Sequence, residues 1–275
     1  MPDRFLAAVV QMNASADKQH NLSRAETLVA RAASAGAALV ALPEVFFWRG
    51  KAGEEADAAE PIPGPTTDFL AELARRYEIY LLGGSILERN DGARPFNTSV
   101  LFSPSGKMVA AYRKLHLFDV RLPGRVEIVE SARRRAGNRV VVAETELGRF
   151  GLAICYDLRF PELFRALVVC GAEVVLLPSA FTFVTGAAHW HPLLQARAIE
   201  NQVYVLAPNQ IGKGEDGVPN YGHSAIVDPW GTFVAQARDD ETVVTAEIDL
   251  EYVRRVRAEL PCLQHIRFPL PTEPT

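Results

Sequence analysis

Three features of the sequence predict an α/β fold. Apolar runs of strand length recur along the 275-residue chain as far as residue 250, and several are rich in Val, Ile, Leu and Ala on both faces, as strands covered on both sides require. Helical patterns separate several of these runs, so helices are available to cover the sheets they form. Hydrophobic residues make up 48% of the chain and charged residues 23%, a composition that can fill a large core.

The strand candidates follow one another as RFLAAVVQM (4–12), ALVALP (38–43), IYLLGGSIL (79–87), SVLFS (99–103), MVAAYR (108–113), RVVVAET (139–145), FGLAI (150–154), VVLLPSA (174–180), VYVLAPNQ (203–210), SAIVDP (224–229), TFVAQA (232–237) and TVVTAEIDL (242–250). NLSRAETLVARAASAG (21–36) starts on a capping-type residue and ends at Gly36, which predicts a helix. TTDFLAELARRY (66–77) has a Thr/Asp start and apolar residues at helical spacing. PELFRALVVCGAE (161–173) places Pro161 in a first turn and Gly171 at the end. Tight turns such as DPWG (228–231) give the last third a more antiparallel character. No fixed-period repeat or linker interrupts the pattern, and one domain over 1–275 is expected.

A formal net charge of -4 argues against nucleic acid as the main partner, since phosphate binding needs a clustered basic surface. The densest basic run, ARRRAGNR (132–139), reads as a solvated loop. The opening MPDRFLAAVVQMN has no cleavage-site pattern, and no apolar stretch reaches membrane-spanning length. Three widely separated cysteines, Cys155, Cys170 and Cys262, suit a reducing compartment better than a disulfide framework. A soluble cytoplasmic protein is expected, with Cys170 on the apolar face of its helix and both it and Cys262 in structural roles.

Three strand candidates end in one ionisable residue each: Glu44 after ALVALP, Lys114 after MVAAYR and Cys155 after FGLAI. Neighbouring strand ends collect at one edge of an α/β sheet, so the three side chains can share a pocket. A thiol is only partly ionised at neutral pH and needs a base or a positive environment to act as a nucleophile. Glu44 is placed to take the proton, and Lys114 to stabilise the thiolate and a later oxyanion. The helix start after Cys155 also favours an anion, and the Tyr156 N–H is a second oxyanion donor. Each residue has a plainer alternative: a core cysteine, a helix-capping glutamate, a surface lysine. Position alone leaves both open.

The motifs LPEVFF, YRKLHLFD, GLAICYDLRFPELFR, PSAFTFVTGAAHW, QARAIENQVYV and YGHSAIVDPWG together resemble the nitrilase superfamily of carbon–nitrogen hydrolases. The resemblance runs in the same order from the first strand nearly to the C-terminus. KLHLFDVRLPG and GHSAIVDPWG are similar to the branch holding deaminated glutathione amidase and omega-amidase. It implies a four-layer αββα sandwich that pairs into homodimers, with no metal and no organic cofactor. It implies Cys155 as nucleophile, Glu44 as general base and acid, Lys114 as electrostatic stabiliser, and Glu130 as the residue that orients Lys114 and the substrate amide. Arg159 matches an arginine that contacts the substrate carboxylate, with Phe181 and Thr185 as an apolar wall and a hydroxyl beside it. The implied reaction is hydrolysis of the terminal amide of a small carboxylate-bearing acid through a cysteine thioester. Acyl transfer to an amine and a non-catalytic redox-sensing or scaffold role are the alternatives.

One position departs from the branch. His191 stands where a glutamate is usual after AHW, and a histidine is not an acceptor-only anion. The pair His189 and His191 is a weak ligand signal without a third partner. His189 and Trp190 are expected to pack around the site.

Overall fold

The computed structural model describes residues 2–92 and 94–268; the expected single domain over 1–275 runs outside them at 1, 93 and 269–275. In chain order the elements are β1 (Arg4–Gln11), α1 (Lys18–Ser34), β2 (Leu39–Ala41), α2 (Glu55–Ala58), α3 (Pro65–Tyr77), β3 (Tyr80–Leu82), β4 (Ile86–Glu88), β5 (Phe96–Phe102), β6 (Met108–Arg113), β7 (Asp119–Leu122), β8 (Val126–Val129), β9 (Val142–Thr145) and β10 (Gly148–Leu152). They continue with α4 (Pro161–Val169), β11 (Val174–Leu176), α5 (Phe183–Asn201), β12 (Tyr204–Ala207), β13 (Ile211–Lys213), β14 (Pro219–Tyr221), β15 (Ala225–Val227), β16 (Phe233–Gln236), β17 (Thr242–Asp249) and α6 (Leu250–Glu259).

Two sheets carry the fold. In the first, β17, β1, β2 and β3 lie side by side, β3 and β4 pair with successive lengths of β5, and β6 pairs with β5. The second runs β16-β15-β12-β11-β10-β9, with β10, β11 and β12 parallel and the flanking pairs antiparallel. Side-chain alternation along β1 shows how the layers stack. Phe5, Ala7 and Val9 join a core shared with Phe150, Leu152 and Leu176 of the second sheet. Ala8 and Val10 instead pack with Leu28 and Val29 of α1 and Leu70 and Leu73 of α3. On the other side α4 and α5 cover the second sheet through Phe164, Leu167, Trp190 and Leu194. The order is helices, sheet, sheet, helices: the four-layer αββα sandwich.

Several boundaries differ from the sequence expectation. Helix α1 starts at Lys18 because Asp17 caps it, its carboxylate accepting from the His20 N–H at 3.0 Å. Asn21 lies inside the helix, buried, and donates to the backbone oxygens of Ser15 and Phe47. The run 79–87 splits into β3 and β4 at Gly83 and Gly84. Gly84 has φ 52°, and a Cβ there would sit 2.0 Å from the Pro43 carbonyl oxygen, so the chain can turn only on glycine. Cys170 ends α4 in an exposed position, not on its apolar face, and Cys262 is exposed as well. Helices α5 and α6 and the hairpins β7–β8 and β13–β14 had no counterpart in the sequence pattern. Pro192 sits inside α5, and β7 and β8 alternate exposed and half-buried residues, which blunts the strand signal.

Candidate active site

The three strand-end residues meet. Glu44 lies just past β2, Lys114 directly after β6, and Cys155 follows β10 at the head of a 3₁₀ turn, Cys155–Arg159. All three are buried and line one cavity of about 280 Å³. Two of the turns are strained. Val45, next to Glu44, has φ 46° and Cys155 has φ 47°. Such a conformation costs a β-branched or other side-chain-bearing residue about 1–3 kcal/mol and persists only where the surroundings impose it. Here the Val45 N–H donates to Ser85 Oγ at 3.0 Å and the Cys155 N–H to the Pro178 carbonyl at 3.0 Å.

Glu44 is held at both oxygens. Asn97 Nδ2 donates to Oε1 at 2.7 Å and the Ala180 N–H to Oε2 at 2.7 Å, while Lys114 Nζ reaches Oε1 at 3.2 Å. Lys114 donates also to both oxygens of Glu130, at 2.9 and 3.2 Å. Glu130 in turn accepts from the Phe118 N–H at 2.6 Å and from Arg134 Nη1 at 2.7 Å. Burial disfavours the Lys114 ammonium, but the carboxylates of Glu130 and Glu44 outweigh it and hold its pKa above the ordinary lysine value. Burial likewise works against the Glu130 carboxylate, and the charges of Lys114 and Arg134 override it, holding its pKa below the usual range.

The thiol behaves differently. Burial pushes the Cys155 pKa well up, the negative charge of Glu44 pushes it further, and Lys114 opposes both without prevailing. These influences favour the thiol over the thiolate at Cys155, so the strand-end position does not by itself supply a standing thiolate.

Tyr156 is the second residue of the 3₁₀ turn. Phe181 and Thr185 line a narrow recess that adjoins the cavity at Cys155, together with Phe118, Tyr156, Ala180 and Thr182. Thr185 Oγ1 lies 2.8 Å from Thr182 Oγ1. Arg159 stands over the Phe181 ring, its guanidinium carbon 5.2 Å from the centroid, with Nη1 3.2 Å from His189 Nδ1. His191 turns away from His189 and bonds Gln236 at 2.8 Å. Trp190 is fully buried and donates to the His223 carbonyl.

Four contributors were not apparent from the sequence. Asn97 sits in FNTSV, where it opens a polar stretch, Asn97-Thr98-Ser99, that is nonetheless buried in β5. Asp157 is fully buried and accepts from the Ile154 N–H at 2.9 Å and from the His116 N–H at 3.1 Å. Arg134 overturns the solvated-loop expectation for 132–139: with Arg133 it grips the buried Glu55, at 2.5–2.9 Å, and it reaches Glu130. The four-residue spacing of Glu130 and Arg134 was the available clue. Arg49, buried beside the same cavity, is the fourth.

Comparison with known proteins identifies the family. The family model described as carbon-nitrogen hydrolase matches residues 6–258. Omega-amidase NIT2 of Danio rerio is 40% identical over 264 residues, covering 96% of this chain and 95% of that one. Deaminated glutathione amidase of Homo sapiens is 42% identical over 268 residues, covering 95% and 82%. The crystal structure of Saccharomyces cerevisiae Nit3, a member of branch 10 of the nitrilase superfamily, superposes with a TM-score of 0.86 at 36% identity, covering 96% of this chain and 97% of that one. With a family match over nearly its whole length and relatives at this identity, the chain belongs to the carbon–nitrogen hydrolase family.

Proposed function

We propose that the protein hydrolyses the terminal amide of a small carboxylate-bearing acid, in the manner the names omega-amidase and deaminated glutathione amidase describe for its relatives. The observation that carries the proposal is the shared cavity in which Glu44, anchored by Asn97 and Ala180, stands between Lys114 and the Cys155 thiol. Glu44 takes the thiol proton as Sγ bonds to the amide carbon. Lys114 and the Tyr156 N–H hold the oxyanion, and Glu130 keeps Lys114 in place. The C–N bond breaks as Glu44 passes its proton to the departing nitrogen, which leaves as ammonia or an amine. Water then loses a proton to Glu44 and adds to the thioester, the S–C bond breaks, and the proton returns to the sulfur. Arg159 faces the substrate carboxylate, with Phe181 and Thr185 beside the acyl chain.

The same proposal treats 1–275 as one catalytic domain in a cytoplasmic homodimer. Three free cysteines support a reducing compartment, and no helix among the described residues is long and apolar enough to cross a membrane.

Brief incubation with α-ketoglutaramate or deaminated glutathione, acid quenching and peptide mass spectrometry test the reaction. An acyl adduct on the Cys155 peptide is expected, with release of ammonia or amine. An adduct on Cys170 or Cys262 would overturn the assignment.

A further inference from the structure

Asn97 and the Ala180 N–H grip the Glu44 carboxylate, and the Glu44 backbone is gripped as well. The Glu44 carbonyl and the Val45 N–H belong to one peptide plane, and each end of that plane meets a fully buried side chain. Gln210 Nε2 donates to the Glu44 carbonyl at 2.9 Å, and Ser85 Oγ accepts from the Val45 N–H at 3.0 Å. The plane leads directly into the φ of 46° at Val45, a conformation that a β-branched residue does not hold unaided. Held at both ends, it resists the rotation that would relax Val45, and two buried hydrogen bonds are of the same order as the strain they oppose.

Both side chains are themselves fixed. Ser85 directly precedes β4 and follows Gly84, whose missing Cβ lets the chain press against the Pro43 carbonyl. Gln210 directly precedes β13, and its Oε1 accepts from the Ala14 N–H at 3.0 Å, which sets the amide with its nitrogen toward Glu44. The Gln210 backbone N–H donates to the Ser179 carbonyl at 2.9 Å. That carbonyl shares a peptide plane with the Ala180 N–H, the donor to Glu44 Oε2 at 2.7 Å. Gln210 thus holds Glu44 twice: at its backbone and, by way of the Ser179–Ala180 peptide, at its carboxylate. Neither Ser85 nor Gln210 lines the cavity that contains Glu44, Lys114 and Cys155.

We infer that Ser85 and Gln210 are positioning residues for Glu44: they clamp the Glu44–Val45 peptide in its strained orientation and so keep the carboxylate beside Lys114 and the Cys155 thiol. The inference rests on the proposed role of Glu44. A group that must take a proton from sulfur and hand it to nitrogen needs a fixed direction, and the direction of a short side chain is set by its backbone.

Ser85→Ala removes one end of the clamp and Gln210→Met the other. Each should lower kcat about tenfold with KM little changed. A readout without substrate accompanies the kinetics. The Glu44 charge pushes the Cys155 pKa up, so a displaced carboxylate should move iodoacetamide labelling of Cys155 to lower pH. Glycine adopts a positive φ without strain. In a Val45→Gly background the Ser85→Ala change should therefore cost kcat no more than about twofold, and Val45→Asn, which also tolerates this conformation, supplies a second such background. Variants that lose thermal stability yet keep kcat and the labelling profile would show that the clamp serves the fold alone, and would overturn the inference. A kcat loss as large in both Val45 backgrounds as in the intact protein would overturn it too, since strain would not be what the pair holds. Absence of turnover and of acyl-Cys155 in the intact enzyme would bring down the hydrolase proposal, while the labelling profiles would still decide whether the clamp keeps Glu44 beside Cys155.

Discussion

Tyr112 Oη donates a 2.7 Å hydrogen bond to Asp157 Oδ2, joining the strand that presents Lys114 to the turn that presents Cys155. Both side chains are fully buried, and burial beside the Asp157 charge pushes the Tyr112 pKa far up, so the phenol stays a donor. The contact thus fixes the spacing between Lys114 and Cys155 across the two sheets. Tyr112→Phe is expected to cost about 2 kcal/mol, the usual worth of a hydrogen bond to a charged group. It should also lower kcat more than it raises KM, because it displaces reacting groups and leaves substrate contacts in place. Thermal unfolding and steady-state kinetics check both. An unaltered kcat in a destabilised protein would show that the pair serves stability alone.

The Glu130 site should be visible in acid. Its carboxyl is held below the ordinary value of about 4.3. A depressed folded-state pKa means that the stabilisation is fully present above the unfolded value and is lost as pH falls through the folded one. Between about pH 4.5 and 2 the native protein should therefore lose stability more steeply than Glu130→Gln, by up to about 1.4 kcal/mol per pH unit for one proton. Denaturant titrations across that window measure the slopes. Parallel slopes would mean that Glu130 gains nothing from Lys114 and Arg134.

Lys114 is the charge that holds the Cys155 pKa down against burial and Glu44, with the Ala180 backbone N–H adding to it. Lys114→Met should move the thiol titration still higher, and iodoacetamide labelling of Cys155, followed by mass spectrometry as a function of pH, should shift to higher pH accordingly. The exposed Cys170 and Cys262 act as internal references whose profiles stay put. An unchanged Cys155 profile would remove Lys114 from the electrostatics of the nucleophile.

Much of this centre is written in local sequence. Glu44 and Cys155 each follow a largely buried strand and Lys114 the half-exposed β6, and all three strands are apolar runs that can be recognised without knowing their neighbours. What supports them is not local. Asn97 and Ala180 reach Glu44 across 53 and 136 residues of chain, and Arg134 reaches Glu55 across 79. A basic run is ordinarily solvated, and only the fold brings a buried acid to it. The strain at Val45 and Cys155 is equally silent in the sequence, since neither residue type favours a positive φ. Helix α5 was hidden because Pro192 interrupts its pattern and its polar and apolar residues are poorly segregated around its axis.

Arg159 offers the sharpest test of substrate recognition. It ends the Cys155–Arg159 turn, and its half-buried guanidinium stacks over Phe181, with the Tyr156 ring 5.9 Å away. Burial lowers its pKa, while Cys155 and Tyr156 act to raise it, which places it near Cys155. His189 Nδ1 meets one arm of the fork at 3.2 Å, leaving the rest of the fork to grip a carboxylate as lysine cannot. Arg159→Lys should therefore raise KM for a carboxylate-bearing amide by about tenfold, equivalent to about 1.4 kcal/mol, with kcat little changed. A matched amide lacking the carboxylate should be turned over about equally by both proteins. His189→Ala, which frees the guanidinium from its hydrogen-bonding neighbour among the described residues, should raise KM less than Arg159→Lys does. Equal losses on the two amides in Arg159→Lys would show that the residue braces Phe181 and the turn, and that the carboxylate is bound elsewhere.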